Sequence, residues 1–180
     1  MAAIPPASLT IGRQQLTVLE HVFTAARPVE GCALLLGCTA PGWQLRQVWP
    51  CLNVWPVPAE RQRRFALDPR EQLLAQRWGR QRGLQVLGCA HSHPSSAPEP
   101  SALDRELTLP PALLLIAGQH LGANEPQASP PAPGWQWACW WLPEAEPGQA
   151  AATAMPVPWR MVADSEVATV AASPVAHASS

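Results

Sequence analysis

Lysine and tyrosine are missing from this 180-residue chain, while arginine, alanine, proline and nine tryptophans abound. We read this as compositional bias rather than as a device. Excess charge is missing too: the formal net charge is −1, which gives no reason to expect a nucleic-acid partner. No stretch approaches the ~18 consecutive apolar residues of a membrane span. The start, Met1-Ala2-Ala3-Ile4-Pro5-Pro6, has no charged region ahead of an apolar core. A cytoplasmic protein without a membrane partner is expected. The five cysteines (Cys32, Cys38, Cys51, Cys89, Cys139) are odd in number and form no Cys-x-x-Cys pair, which argues against a disulfide framework and a zinc ribbon. Gly-x-Gly-x-x-Gly and Walker phosphate loops are absent, removing the dinucleotide-binding and P-loop readings.

What is present reads as one domain over residues 1–162, with a disordered Ala/Ser/Val-rich tail over 163–180. A short strand near Ser8 to Ile11 precedes a helix over Gln14 to Ala26, where Leu16, Leu19, Val22, Phe23 and Ala26 recur at helical spacing. The unbroken apolar run Gly31 to Cys38 reads as a strand buried on both faces. Trp43 to Pro50 reads as the next, continued by Cys51 to Trp55, and Gln62 to Leu67 as a return strand. Asp68-Pro69-Arg70-Glu71 is a helix start, with Asp68 as N-cap, Pro69 in the first turn and Glu71 completing a capping box; the helix should run to Arg82 and stop at Gly83. This segment gathers Arg61, Arg63, Arg64, Arg70, Arg77, Arg80 and Arg82, which fits a solvated face or an acidic partner. Buried strands follow at Leu84 to Ala90 and Ala112 to Gly118. A Pro/Ala-rich loop over Asn124 to Gly134 leads to a strand over Trp135 to Leu142, and Val157 to Val162 adds a last one. The alternation of strands and helices gives the fold class: α/β, a mixed central sheet layered with helices.

The most informative stretch is Cys89-Ala90-His91-Ser92-His93-Pro94, followed by Ser101-Ala102-Leu103-Asp104. Residues two apart on a strand share a face, so His91 and His93 present both imidazoles to one point while Ser92 faces away. Pro94 should end the strand and leave His93 at its open end. Ser101 can cap a short helix whose first turn brings Asp104 back as a third ligand. Two His, one Asp and a vacant fourth position describe a catalytic zinc. Ser-x-x-Asp is also a capping box that needs no metal. His21, on the first helix, reads as a surface residue and is left out of the site; His120, beyond the Ala112 strand, is a weaker alternative ligand. A zinc deaminase is excluded, since no Pro-Cys-x-x-Cys follows the histidines.

The string His91-Ser92-His93-Pro94, Ser101, Asp104, with an acid at the start of an earlier strand, resembles the JAMM/MPN+ (Mov34) zinc metalloprotease signature, in its compact prokaryotic form. The resemblance runs roughly from Leu16 to Trp141 and makes Glu30 the candidate acid. On its own, Glu30 would read as an exposed turn residue. The resemblance implies one Zn2+ per chain on His91, His93 and Asp104. It implies Glu30 as general base and Ser101 as a hydrogen-bond donor to the developing oxyanion; were Glu30→Gln fully active, Glu20 or Glu99 would be the next base to consider. The implied substrate is an amide or isopeptide bond after the Gly-Gly tail of a ubiquitin-like or sulfur-carrier protein, the latter favoured because residues 56–64 leave little room for a large insertion. Two other readings remain: a RadC-like DNA-repair-associated domain, which typically has Asn where Ser92 stands, and a non-catalytic MPN-type scaffold, which would have no need of the intact motif.

Overall fold

In a computed structural model, which describes residues 4–119, 134–144 and 153–169, the chain builds one eight-stranded mixed sheet with helices on both of its faces. In chain order the strands are β1 (Leu9–Gly12), β2 (Cys32–Cys38), β3 (Trp43–Cys51), β4 (Gln85–His93), β5 (Ala112–Gly118), β6 (Gln136–Leu142), β7 (Met155–Val157) and β8 (Trp159–Val162). The α-helices are α1 (Arg13–Ala26), α2 (Pro69–Arg80), α3 (Ala102–Leu107) and α4 (Asp164–Thr169). The spatial order is β7-β6-β5-β4-β2-β3-β1-β8. Pairs β1–β3, β1–β8 and β4–β5 are parallel and the others antiparallel, so the expected mixed α/β class is what the chain adopts.

The two edge strands, β7 and β8, are joined by Pro158 alone. One intervening residue spans about 7 Å of chain, so the sheet must curl until its edges nearly meet. Two contacts agree with this: the Leu9 amide donates to the Pro158 carbonyl at 2.9 Å, and Trp43 of β3 meets Trp141 of β6 edge-on at 5.4 Å. Inside the curl, Leu35, Leu45, Leu113, Leu115 and Trp141 pack against Leu19 and Phe23 of α1. Outside it, Leu34, Leu36, Cys89, Leu114 and Ile116 pack against Ala75 of α2 and Phe65.

One irregularity decides which way the histidines face. Leu87 belongs to the inner core, yet Cys89, two residues on, belongs to the outer one. The register explains the reversal: Leu35 pairs with Gly88 and Leu36 with Val86, leaving Leu87 without a partner on β2. This is a β-bulge, which shifts the alternation by one residue and re-aims everything after it. Beyond it, Cys89, His91 and His93 align with Leu114, Ile116 and Gly118 of β5 on the outer face, while Ala90 points inward. Only glycine fits at the bulge, since a Cβ on Gly88 would lie 1.9 Å from the Leu113 carbonyl oxygen.

Several expectations need correction. Residues 52–67 contain no strand, only a 3-10 turn at Pro58–Glu60. Asn53 takes over the work of a ladder there: its amide group donates to the Glu30 and Arg64 carbonyls, and its carbonyl oxygen accepts from the Trp55 and Ala66 amides. Helix α2 ends at Arg80, two residues early. Asp68 caps it by accepting from the Arg70 amide, but no capping box forms, because Glu71 accepts instead from the Trp49 indole at 2.8 Å. The expected last strand is two strands on opposite edges. The segment expected to be a disordered tail begins with α4, whose Asp164 carboxylate accepts from the Gln14 amide at 2.9 Å and so caps α1, where Gly12 offers no side chain. Residues 170–180, His120 and nearly all of the 124–134 loop lie outside the described residues.

Gly88→Ala should therefore lower the thermal midpoint sharply, by the equivalent of roughly 3 kcal/mol or more. Gly42→Ala, where a Cβ would meet nothing within 4 Å, should leave it nearly unchanged. Comparable midpoints for the two variants by calorimetry would contradict the role given to the bulge.

Candidate metal centre

Strand β4 carries His91 and His93 to its open end and stops there, as Pro94 requires. Ser92, between them, is fully buried on the opposite face, where its hydroxyl accepts from the Gly31 amide at 2.9 Å. That bond, with Ser92 N–H donating to the Gly31 carbonyl at 3.0 Å, fixes the entry of β2 beside the exit of β4. Cys32 pairs with His91 in the ladder and Gly31 faces Ser92, so a second step on each side places Glu30 opposite His93.

Helix α3 supplies the third group. Ser101 and Asp104 form a reciprocal capping box: the Asp104 amide donates to the Ser101 hydroxyl at 3.1 Å, and the Ser101 amide donates to Asp104 Oδ2 at 2.7 Å. The same Oδ2 lies 3.5 Å from the Nε2 atoms of both His91 and His93, which are 3.1 Å apart. The cap thus also holds the carboxylate where the imidazoles converge, so one arrangement serves the helix start and a candidate three-ligand set. Ligand atoms bound tetrahedrally at ~2.0–2.1 Å stand about 3.3–3.4 Å from one another. The observed spacings match, and two nitrogens with one oxygen suit a borderline ion such as zinc. No other such group of His, Cys, Asp or Glu occurs among the described residues.

The surroundings fix each ligand. His93 Nδ1 lies 2.8 Å from the Ala97 carbonyl, so the proton sits on Nδ1 and Nε2 keeps its lone pair for a metal. His91 is fully buried and stacks on Phe65, with ring centroids 4.4 Å apart. Its Nδ1 has no hydrogen-bond partner. Burial lowers the pKa of His91, keeping it neutral and ligand-ready. Burial also opposes ionisation of Asp104, but the two imidazoles 3.5 Å away and the hydrogen bond from the Ser101 amide outweigh it and hold the carboxyl well below the usual range. For His93 burial is again the largest single influence, yet Asp104, the Ala97 carbonyl and Glu30 together raise its pKa.

Glu30 is only 4 % exposed, which corrects the turn-surface reading. Its Oε2 has no partner. Burial pushes its pKa up to about 8, against a favourable pull from His93 and with a further push from Asp104. The backbone around it is clamped: the Glu30 amide donates to the Arg61 carbonyl at 2.8 Å, and its own carbonyl accepts from Asn53. Sequence reasoning missed Asn53 and Phe65, because both lie in the segment taken for strands. The available signal was Asn53 itself, a residue that favours side-chain bonds to backbone, standing between the end of β3 and the prolines Pro56 and Pro58. His21 lies on the exposed side of α1, away from this group, and Glu99 is exposed.

The raised pKa of Glu30 has a thermodynamic consequence in metal-free protein. Folded Glu30 keeps its proton to about pH 8, whereas the unfolded chain releases it near 4.5. The native state therefore binds more protons in that window, and stability falls as pH rises through it. Glu30→Gln removes the buried charge and should flatten this decline. Melting curves of chelator-treated protein at pH 5 and pH 8 should show the variant gaining several degrees over wild type at the higher pH. Equal slopes would mean that Glu30 is not buried as described.

Comparison with known proteins places this geometry in a family. Residues 16–139 match the model for prokaryotic homologs of the JAB domain. Among solved structures, protein DSY2949 from Desulfitobacterium hafniense is similar at 25% identity and a TM-score of 0.65, over 86% of this chain and 93% of that one. A protein from Salinibacter ruber is similar at 25% identity and a TM-score of 0.53, over 84% and 91%. A JAB1/MPN domain protein from Archaeoglobus fulgidus is more distant, at 17% identity and 0.45 over 86% and 98%, and nothing below rests on it. No curated protein matches. A family model that spans residues 16–139 takes in both β2, with Glu30 at its entry, and the whole His-His-Asp group, and the chain belongs to the prokaryotic JAB-domain family.

Proposed function

We propose that the protein is a zinc-dependent hydrolase that cleaves the amide or isopeptide bond after the Gly-Gly tail of a ubiquitin-like or sulfur-carrier protein. The observation that carries this reading is the buried Glu30, whose Oε2 has no hydrogen-bond partner, beside three convergent groups of metal-ligand type. A scaffold has no use for a buried group that loses stability when it ionises; a proton-transfer site does. Zinc held by His91, His93 and Asp104 would supply a Lewis acid and bring the pKa of a water ligand to near ~7.

The chain's own groups account for the rest. Glu30 accepts a proton from the attacking water and returns it to the departing amine; its raised pKa suits a group that must do both near neutrality. Ser101 uses its hydroxyl oxygen as the cap acceptor, so its O–H stays free to donate to a developing oxyanion. A cleft of about 420 Å³ adjoins the ligand strand, lined by Phe65, Leu67, Gln72, Cys89, Thr108 and Leu109. It does not include the ligands: Phe65, which lines it, also stacks on His91 and forms the wall between them. An extended tail lying there would have to pass Phe65 to reach the ligands, and glycines, which have no side chain, are the residues that lie closest to such a wall. The −1 net charge gives no support to a nucleic-acid substrate.

Elemental analysis of protein purified without chelator should find about one zinc per chain, lost in the His91→Ala/His93→Ala variant and strongly reduced in Asp104→Ala. Unchanged zinc in the double variant would place the metal elsewhere. Glu30→Gln should retain its zinc and lose ~10²–10⁴-fold in hydrolysis of a Gly-Gly amide, followed by mass spectrometry of the free terminus. Full activity would remove Glu30 from the mechanism, and loss of zinc would make it a ligand.

A further inference from the structure

Residues 61–82 carry seven arginines against two acids, Asp68 and Glu71, in a chain whose net charge is −1. Both acids are already engaged locally: Asp68 caps α2, and Glu71 accepts from the Trp49 indole. Three of the arginines are engaged locally, Arg61 with the Trp55 carbonyl, Arg64 with Glu60, and Arg82 stacked on Trp78. Arg63, Arg70, Arg77 and Arg80 are exposed and have no ion pair among the described residues.

On α2 these charges frame an apolar strip. Ala75 and Gly79 face the sheet, so the opposite side of the helix presents Arg70, Leu73, Leu74 and Arg77, which at intervals of three and four residues form one stripe. Leu73 is 66 % exposed and Leu74 52 %. Two exposed leucines between unpaired arginines do nothing for the fold. They have the composition of a binding surface, an apolar centre with a charged rim. The stripe also adjoins the chemistry, because Gln72 and Gln76 of the same helix line the cleft that Phe65 separates from His91.

We propose that the outer face of α2 docks the folded body of the carrier protein, through an acidic surface on the carrier that surrounds an apolar patch. This rests on the hydrolase reading above and names how it selects its substrate. A carrier seated on Arg70, Leu73, Leu74 and Arg77 has its C-terminal tail beside the cleft, so one contact fixes the partner and aims the tail. Opposite charges on the two surfaces speed encounter and are screened by salt.

The test uses two probes: an acidic ubiquitin-fold sulfur-carrier protein joined through its Gly-Gly terminus to cysteine, and a short peptide with the same Gly-Gly-cysteine end but no folded body. In Arg70→Glu/Arg77→Glu, kcat/KM for the carrier fusion should fall at least tenfold, mostly through KM, and its decline with added salt should disappear. Zinc content and peptide hydrolysis should stay at wild-type level. Leu73→Ser, which alters no charge, should also raise KM for the fusion alone. Reversing acidic residues on the carrier to arginine should restore cleavage by the double variant. Wild-type rates on the fusion in both variants, or an equal loss on the peptide, would overturn the docking proposal while leaving the hydrolase reading intact. If wild type cleaves neither probe, the hydrolase reading fails, and docking is judged by anisotropy of the labelled carrier: tighter binding to wild type than to the double variant supports it, and equal binding overturns it.

Discussion

The structure turns on one missing side chain. Gly88 lets β4 press against the Leu113 carbonyl and carry an extra residue, and that bulge reverses the facing of every residue after it. Without it, Leu87, Cys89, His91 and His93 would share one face, and both imidazoles would point into the hydrocarbon interior of the curled sheet. With it, Leu87 stays in the inner core and the histidines emerge on the side where α3 and residues 52–67 meet them. Burying polar groups without partners is costly, so this phase shift separates a misplaced pair of core histidines from a ligand pair.

Around that pair, each element does two things at once. The α3 capping box stabilises a six-residue helix and aims Asp104 Oδ2 at both imidazoles. Ser92, turned away from the ligands, ties the entry of β2 to the exit of β4 and thereby sets Glu30 opposite His93. Asn53 organises the loop that clamps the Glu30 backbone and presents Phe65 to His91. These bonds fix His91, His93 and Asp104 in place, and the site holds one destabilised group, Glu30, whose Oε2 is buried without a partner. Strain of this kind persists only where the surrounding bonds over-determine it.

Much of this was legible in the sequence, for local reasons. His-Ser-His-Pro and Ser-x-x-Asp specify their own geometry through strand alternation, the proline stop and the capping box, and these short-range rules hold in the fold. The apolar runs of β2 and β5 were equally plain, because strands buried on both faces leave no ambiguity of pattern. What escaped depended on distant partners. Gly88 was visible as a point of close backbone approach, but the phase shift it permits follows from its register with Leu35 and Val86 with Leu36. The 52–67 segment looked like strands because Phe65 and Leu67 are apolar, whereas Asn53 holds it as a loop over the site. Pro158 hides a full crossing of the curled sheet in a single residue, and α4 is held where disorder was expected by capping α1 across 150 positions.

Whether His91, His93 and Asp104 hold one metal ion together can be read from X-ray absorption at the zinc edge of the wild-type protein. Four nitrogen or oxygen neighbours at ~2.0–2.1 Å, with the outer-shell scattering of two imidazoles and no sulfur, is the expected spectrum. A sulfur shell near ~2.3 Å would move the metal to the thiols of Cys32, Cys51 or Cys89 and contradict the site described here.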